Sequence, residues 1–542
     1  MTSGSLRAAD DARPSLPNVV VILADDLGYG DVQCNNRERG KIATTNIDRL
    51  AAQGMRFTDA HSSSGVCSPS RYTLLTGRYH WRTRLQSGIV GVWGKPLITP
   101  ERLTIAGLVK QHGYSTACIG KWHLGWDWPI PDDRADIFKA KPDGDSKATA
   151  EQQAVWREVF SKPIPGGPVA RGFDRYFGTD VPNWPPYCFI ENDKTLGLPS
   201  EFLPQRLLKD NQASLPGPAL DGWRLEPILP TLATRAAEFV QTQARAKKPF
   251  LLYMPLTAPH TPLAVNPAFR GKSGLNEYAD FVLETDEAVG RVLTAMEEAG
   301  VANDTLVIFT SDNGCAPYIG AAQLEKKGHF PSGPLRGYKS DAFEGGHRVP
   351  FIVRWPGRVA AGSVCSQLVH HADVIATLAE LLDTKLPPDA GEDSFSFVSL
   401  LKGGTQPVRN ESVSCASGGL PSLRDGAWKL IFGPGSGGWS KGESDQPFQL
   451  FNLADDLGET KNLATVESDR VARMRQRMEQ IIRAGRSTPG PAQKNDLRVR
   501  RYPPEPQAKS EAKSAENPEA KSDGKPGTQP AKKPAAKTDS PS

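Results

Sequence analysis

Four short apolar segments of the sequence are each followed closely by side chains that can transfer protons or bind ions. The segments and these residues are NVVVIL with Asp25 and Asp26, YSTACI with Lys121 and His123, FLLYM with His260, and TLVIFT with Asp312 and Asn313. Each ending alone is typical of a turn. Because ligands of open α/β sheets bind outside the carboxyl ends of the strands, four complementary endings predict one shared site.

Oxygen is the only ligand atom offered by Asp25, Asp26, Asp312 and Asn313. Oxygen ligands favour Ca²⁺ or Mg²⁺, whereas zinc sites prefer His and Cys. A divalent ion would also relieve the repulsion among three carboxylates. The alternative is two ordinary turns without an ion. We predict a metal site.

One cysteine has unusual neighbours, in the sequence Val66-Cys-Ser-Pro-Ser-Arg71. The pattern predicts a helix over 69–76, with Ser68 as its cap, because Pro is favoured in a first helical turn. Cys67 then lies at a helix N-terminus, where partial positive charge favours an anion or a thiolate. Arg71 follows four residues later on the same face. Three interpretations remain open: a small buried Cys, a thiolate nucleophile, or a chemically modified residue.

The elements that must position these residues alternate between apolar runs and helical patterns, which predicts an α/β fold with a large, mostly parallel mixed sheet flanked by helices. Strands are predicted at 18–23, 114–119, 250–254, 305–310 and 351–354, and helices at 45–53, 101–112, 276–299 and 372–382. A smaller C-terminal α+β subdomain is predicted from antiparallel strands at 412–415, 427–432 and 448–452 and a helix at 468–483. Residues 126–230 form a long Pro- and Trp-rich excursion.

We therefore divide the chain into a flexible N-terminal segment (1–17), a catalytic domain (18–387), a C-terminal subdomain (388–487) and a disordered low-complexity tail (488–542). Residues 503–542 contain no apolar residue except Ala, so they cannot offset their ordering entropy by burial.

Composition excludes several classes of function. The 65 basic and 61 acidic residues give a net charge of only +4, without the basic excess typical of nucleic-acid binding. No apolar run approaches the roughly 20 residues that a membrane span needs, and residues 1–17 contain no apolar signal core. Seven scattered cysteines form neither a disulfide framework nor a CxxC pair. Nothing in the sequence specifies an oligomeric state.

Several segments together carry a family resemblance: ADDLGYGD, CSPSRYTLLTGR, GKWHLG, GFDRYFG, APHTP, SDNG, KSDAFEGGHRVPFIVRWPG and LFNLADDLGETKNLA. The sequence resembles the type I, arylsulfatase-like sulfatases of the alkaline-phosphatase superfamily. The CxPxR motif with its LTGR ending is the most specific of these segments. In this family a separate formylglycine-generating enzyme converts the motif's Cys into formylglycine (3-oxoalanine).

The resemblance implies a role for each residue. Formylglycine at position 67, hydrated to a geminal diol, would be the nucleophile, with one oxygen on Ca²⁺ (Mg²⁺ as an alternative). Asp25, Asp26, Asp312 and Asn313 would complete the metal site, and Arg71 would hold the diol. The resemblance further assigns sulfate binding to Lys121, Lys339 and His260, protonation of the leaving oxygen to His260, and acceptance of the second hydroxyl's proton to His123.

The implied activity is hydrolysis of a sulfated carbohydrate or an aryl sulfate, in a protein exported by family habit. Two alternatives stay open: a phosphodiesterase or phosphonate monoester hydrolase of the same superfamily, and a catalytically dead carbohydrate-binding homologue. A second metal site with extra His and Asp ligands would favour the former. We interpret His347, His370 and His371 as structural, and Trp93, Trp184 and Tyr187 as core residues rather than sugar-stacking residues.

Overall fold

The computed structural model describes residues 16–139, 147–209, 211, 213–441 and 446–502. Residues 1–15 of the predicted N-terminal segment and 503–542 of the predicted tail lie outside this description. Within the described ranges, no helix combines the length and apolar composition that crossing a bilayer would require.

The strands that the structure describes are β1 Asn18–Ala24, β2 Met55–Phe57, β3 Ala60–His61, β4 Ser115–Ile119, β5 Arg175–Gly178, β6 Ile190–Glu191, β7 Lys194–Thr195, β8 Glu201–Leu203, β9 Gly217–Ala219, β10 Phe250–Pro255, β11 Thr305–Ser311, β12 Phe351–Arg354, β13 Ser363–Cys365, β14 Val369–His370, β15 Glu411–Cys415, β16 Pro421–Asp425, β17 Trp428–Ile431 and β18 Gln449–Asn452. The α-helices are α1 Thr45–Ala52, α2 Cys67–Thr76, α3 Ile105–Lys110, α4 Ala150–Phe160, α5 Ile228–Ala246, α6 Glu277–Glu298, α7 Ala321–Lys326, α8 Glu344–His347, α9 Asp373–Leu381, α10 Val398–Leu401 and α11 Ser468–Ala484.

A ten-stranded sheet in the order β13-β2-β12-β11-β1-β10-β4-β5-β6-β7 forms the centre of the molecule. Its middle strands, β11, β1, β10, β4 and β5, are all parallel to their neighbours within this run. Four of these five are the strands predicted to end at functional residues. The predicted α/β class with a mostly parallel mixed sheet is confirmed, and the four strand endings meet at one edge.

Both faces of the sheet are covered, which explains the continuous apolar runs of its central strands. In β1, Val19, Val21 and Leu23 pack in one core with helices α2, α3, α4 and α9. Val20, Ile22 and Ala24 alternate with them and pack in the other core, with α1, α5, α6 and α7. This alternation follows from the two-residue period of a strand.

The predicted antiparallel C-terminal sheet is also confirmed, in the order β15-β16-β17-β18, with α11 packed on its own apolar core. The sequence predicted only three of these strands. It missed β16 because PSLRD contains Pro, Ser and Asp, which are typical of turns. It likewise missed α5, whose Pro230 lies in the first helical turn, where proline is tolerated.

Two predicted boundaries differ from the structure. Helix α3 begins at Ile105 rather than 101, because the Thr104 side chain caps it by accepting a hydrogen bond from Gly107 N. The tail predicted from residue 488 was placed too early. Residues 488–502 contact the body, where Asp496 pairs with Arg78 at 2.9 Å and its N–H donates to the Arg82 carbonyl at 2.8 Å.

Candidate active site

Helix α2 places Cys67 at its first residue, with Val66 as the N-cap. The predicted helix started two residues later with Ser68 as cap, which is wrong because the Ser68 hydroxyl instead accepts a hydrogen bond from Val90 N. Burial raises the pKa of the Cys67 thiol to about 11. The thiol is therefore neutral near pH 7, which argues against the thiolate interpretation.

Cys67 belongs to a buried cluster of potential ligands. Its sulfur and one ligand atom each of Asp25, Asp26 and His260 all lie within 4.8 Å of one another. Asp312 and Asn313 join the same cluster from β11, since Asp26 N donates to Asp312 Oδ1 at 3.1 Å and Asn313 Nδ2 donates to Asp26 Oδ1 at 2.8 Å. The four predicted metal-ligating residues therefore lie together and are at most 1% exposed.

Two buried oxygens of this cluster fit a cation. Asn313 Oδ1 and Asp25 Oδ1 accept no hydrogen bond from any described residue, although Arg71 Nη2 lies 3.2 Å from the latter. Unsatisfied buried acceptors are costly and therefore rare in folded proteins. The Asn313 amide directs its donors to Asp26 and to the Gly314 carbonyl, which leaves its oxygen for another partner. An oxygen-ligated divalent ion would satisfy both atoms.

Three buried cations surround the acidic groups. Arg71 Nη2 lies 2.7 Å from Asp312, Lys121 Nζ lies 2.8 Å from Asp25 and Lys339 Nζ lies 2.5 Å from Asp26. Each of the six side chains is at most 5% exposed, and the three carboxylates balance the three cations in formal charge. A divalent ion would therefore give this pocket a net positive charge, suited to an anionic substrate.

The carboxylates respond differently to this environment. Burial favours protonation of Asp25, but Lys121, His260 and Arg71 hold the pKa of Asp25 well below its usual range. Burial and the nearby charge of Asp25 raise the pKa of Asp312. Such divergent pKa values within one buried cluster are typical of functional sites.

His123 follows β4 and presents one free acceptor. Its Nε2 lies 3.0 Å from the Val90 carbonyl, which can only accept, so Nε2 carries the proton of the neutral ring. Its buried Nδ1 has no hydrogen-bond partner among the described residues. Burial, together with Lys121 and Arg71, holds the pKa of His123 well below its usual range. Nδ1 is therefore available to accept a proton.

His260 presents its other nitrogen to the cluster. Nδ1 lies 2.5 Å from the Thr261 carbonyl and carries the proton of the neutral ring, while Nε2 lies 3.5 Å from Asp26 Oδ2. Burial lowers the pKa of His260 to about 4. The imidazole is thus neutral at pH 7 unless a bound anion favours its charged form.

Sequence reasoning missed Asp180, which positions His123. The Asp180 carboxylate accepts hydrogen bonds from His123 N and Trp126 Nε1, both at 3.1 Å. Asp180 follows β5, the fifth parallel strand, so it lies at the same edge of the sheet as the other strand-end residues. The four-residue strand RYFG was too short to be recognised from its sequence.

The remaining aromatic and histidine predictions have mixed outcomes. Tyr187 is buried, as are His347, His370 and His371. Trp93 is half-buried and packs edge-on against Trp128. Trp184 is also half-buried, but its ring lies 5.3 Å from that of His123. This contact places Trp184 beside the site rather than in the core.

Comparisons with known proteins agree with this geometry. The family model described as Sulfatase matches residues 17–384. The N-acetylgalactosamine-6-O-sulfatase of Bacteroides thetaiotaomicron is 31% identical over 489 residues, covering 86% of this chain and 93% of that protein. Arylsulfatase G of Rattus norvegicus is 30% identical, covering 84% of each chain. A solved structure from a study of glycosaminoglycan metabolism by B. thetaiotaomicron superposes with a TM-score of 0.73 at 30% identity, covering 86% of this chain and 99% of that chain.

Proposed function

The chain belongs to the sulfatase family, and we propose that it hydrolyses sulfate esters of a carbohydrate through a formylglycine formed from Cys67, assisted by a bound calcium ion. The observation that carries this proposal is the setting of Cys67. Its neutral, buried thiol begins a helix and lies within 4.8 Å of ligand atoms of two carboxylates and a histidine. Such a thiol is a poor nucleophile, whereas conversion to an aldehyde hydrate would put a hydroxyl there.

Asp25, Asp26, Asp312 and Asn313 would hold the calcium ion together with residue 67, and Mg²⁺ is the alternative. When bound, the ion would stabilise negative charge on neighbouring oxygens and favour the deprotonated hydroxyl of residue 67. The two unpartnered oxygens, Asp25 Oδ1 and Asn313 Oδ1, support this ligand set.

The cations of the site would bind and orient the sulfate group. Lys121 is paired with Asp25, and Lys339 is paired with Asp26. Arg71 lies one helical turn after residue 67 and would hold its hydroxyl groups. Displacement at sulfur builds negative charge on oxygen, which these buried cations would stabilise strongly because water is excluded.

Two histidines would move the protons. A bound sulfate ester brings a negative charge that favours protonated His260, whose Nε2 faces the cluster and would protonate the leaving oxygen. His123 Nδ1 would accept the proton of the second hydroxyl of residue 67, so that sulfate departs and the aldehyde re-forms. Asp180 and Val90 orient the His123 segment for this step.

A sulfated saccharide is the substrate class that the bacterial relative favours, because that protein is named N-acetylgalactosamine-6-O-sulfatase. Aryl sulfates would serve as simple test substrates. Maturation would require a formylglycine-generating enzyme as partner. We expect the protein to be exported, as is usual in this family.

The test is mass spectrometry of the peptide that carries residue 67, from protein co-expressed with the generating enzyme. Aldehyde or its hydrate should replace the thiol in proportion to sulfate release, and Cys67→Ala should abolish release. Full activity from unmodified Cys67 would overturn the mechanism. Faster turnover of phosphate diesters or phosphonate monoesters than of sulfate esters would instead favour the other superfamily activity.

A further inference from the structure

Two exposed aromatic rings lie together next to the proposed sulfate-binding lysine. Among the large exposed hydrophobic side chains of the described residues, only Tyr318 and Trp439 are aromatic, at 49% and 48% exposure. Their ring centroids are 5.7 Å apart at an angle of 45°. Lys339 Nζ lies 6.0 Å from the Trp439 ring. Single exposed apolar residues need no explanation, but a touching pair beside a charged pocket does.

Both rings are carried by segments that also hold the site. Tyr318 follows Asp312 and Asn313 by five or six residues, in the short 3₁₀ turn Pro317–Ile319. Burial raises the pKa of the Tyr318 hydroxyl, and the charges of Lys339, Asp26 and Cys67 also act on it. The Tyr318 hydroxyl therefore lies within electrostatic range of the cluster, while about half of the side chain stays in water.

Trp439 comes from the C-terminal subdomain and is anchored to the segment that contains Lys339. Asp341 Oδ1 accepts hydrogen bonds from Trp439 N at 2.9 Å and from Ser440 N at 3.0 Å. A Cβ added to Gly438 would lie 2.2 Å from the Ser340 carbonyl oxygen, so the two segments are in close backbone contact. The backbone that carries the exposed indole is thus held in place before any ligand binds, which reduces the entropy cost of binding.

We propose that Tyr318 and Trp439 form a subsite that binds the apolar face of a pyranose ring in the sulfated substrate. A pyranose presents C–H groups on its face and hydroxyl groups around its edge, so it can lie on aromatic rings while its other side stays in water. The half-exposed, inclined pair offers such an open surface. A sterol or polycyclic aryl group would instead favour an enclosed apolar slot.

The position of the subsite sets its function. Because Trp439 lies beside Lys339, a pyranose that packs on the Trp439 indole would be the sugar that carries the sulfate bound by Lys339, or the sugar next to it in the chain. The subsite rests on the proposed function for its substrate, and it makes the C-terminal subdomain a contributor to specificity.

The test compares wild type with Trp439→Ala, Tyr318→Ala and Trp439→Phe, all with residue 67 converted. The substrates are N-acetylgalactosamine 6-sulfate and 4-nitrophenyl sulfate, and binding of unsulfated N-acetylgalactosamine oligosaccharide is measured by calorimetry. Trp439→Ala should raise the KM for the sulfated saccharide about tenfold, with a smaller change in kcat. Trp439→Ala should also weaken binding of the unsulfated oligosaccharide about tenfold. Trp439→Phe should bring both the KM and the Kd of the oligosaccharide most of the way back to their wild-type values. Tyr318→Ala should likewise raise the KM for the sulfated saccharide and the Kd of the unsulfated oligosaccharide.

Trp355→Ala is the matched control. Trp355 directly follows β12, whose Arg354 pairs with Val307 near the start of β11, so it lies at the sheet edge opposite the site. Trp355→Ala should change neither the KM for the sulfated saccharide nor the Kd of the unsulfated oligosaccharide. Equal affinities in wild type and Trp439→Ala would overturn the subsite, as would a loss confined to kcat, which would show that Trp439 acts only through Lys339. A loss confined to 4-nitrophenyl sulfate would overturn the pyranose assignment. Failure of the proposed function is distinguishable, since binding of the unsulfated oligosaccharide requires no hydrolysis.

Discussion

At the scale of single residues, the side-chain amide of Asn313 shows how a neutral group is prepared for a cation. Both of its donor directions are used within the cluster, toward Asp26 and the Gly314 carbonyl. Its oxygen accepts no hydrogen bond from the described residues. A buried amide oxygen without a hydrogen-bond donor destabilises the folded protein, unless a cation takes the place of that donor.

Asn313→Ala should therefore reduce the stabilisation that calcium provides. A ligand present at 100 times its Kd stabilises the folded state by about 2.7 kcal/mol, and weaker binding reduces that increment. We expect added Ca²⁺ to raise the Tm of EDTA-treated wild type clearly and that of Asn313→Ala much less. Differential scanning calorimetry with and without 1–10 mM Ca²⁺, about the range of weak extracellular sites and above, measures this difference.

Asn36→Ala serves as the control, since Asn36 is also buried but donates to the Gly30 and Phe330 carbonyls away from the strand endings. It should lower the Tm at every calcium concentration and leave the calcium-dependent increment intact. A Tm of wild type that does not respond to EDTA or Ca²⁺ would contradict the proposed metal site.

At the scale of elements, strand endings could be predicted from sequence wherever a strand is a continuous apolar run. β1, β10 and β11 are such runs, because both faces of the sheet are covered. β4 begins with Ser115 and Thr116, and it was predicted because it follows a helical pattern closed by Gly113. β5 has only four residues, RYFG, which is too short for such a pattern, so Asp180 was missed. Lys339 follows no strand of the parallel set, and only the family resemblance indicated it. Its place beside Asp26 depends on contacts more than 300 residues apart, which local patterns do not encode.

The end of β4 depends on a glycine. Gly120 has φ 143°, and a Cβ there would lie 1.8 Å from the Pro255 carbonyl oxygen. Lys121 N donates to that same oxygen at 2.7 Å. A side chain at position 120 would therefore push the end of β4 away from β10 and displace Lys121 and His123.

Gly120→Ala should lower kcat/KM at least tenfold, because small displacements of catalytic groups are costly, and should also lower the Tm. Gly113→Ala provides a matched comparison, since Gly113 has φ 82° but a Cβ added there would meet no atom within 4 Å. It should cost only about 1–2 kcal/mol of backbone strain and keep full activity. Steady-state kinetics with an aryl sulfate separates the two variants, and equal activities would refute the positioning role of Gly120.

At the scale of the whole molecule, buried charges join the C-terminal sheet to the large sheet's domain. Lys429 Nζ, on β17, lies 2.9 Å from Glu344 on α8 and 2.8 Å from Glu459. It also lies 3.2 Å from Nε2 of His347, whose Nδ1 is 3.0 Å from His61 Nδ1. His347 thus belongs to this network, in line with its structural interpretation. The network fixes the subdomain that carries Trp439.

The two acids differ in their protonation. Burial favours protonation of Glu344, yet Lys429, His61 and Arg424 hold the pKa of Glu344 well below its usual range. Burial raises the pKa of Glu459 to about 7, despite the opposing effect of Lys429. Removing the Lys429 charge should therefore raise the pKa of both carboxyl groups.

Lys429→Met should destabilise the protein by about 3–5 kcal/mol, because it leaves buried acids without their shared cation. The sign of the pH dependence follows from linkage. Carboxyl groups whose pKa is raised in the folded state stabilise it below their unfolded pKa, and that contribution is lost as pH rises through the folded pKa. The loss in free energy of unfolding that Lys429→Met causes relative to wild type should thus be smaller at pH 5.5 than at pH 8. Urea unfolding at both pH values measures this loss. The control is Lys461→Met, at an exposed position, which should leave the free energy of unfolding unchanged at either pH. A deficit that is the same at both pH values would mean that Lys429 acts through packing rather than charge.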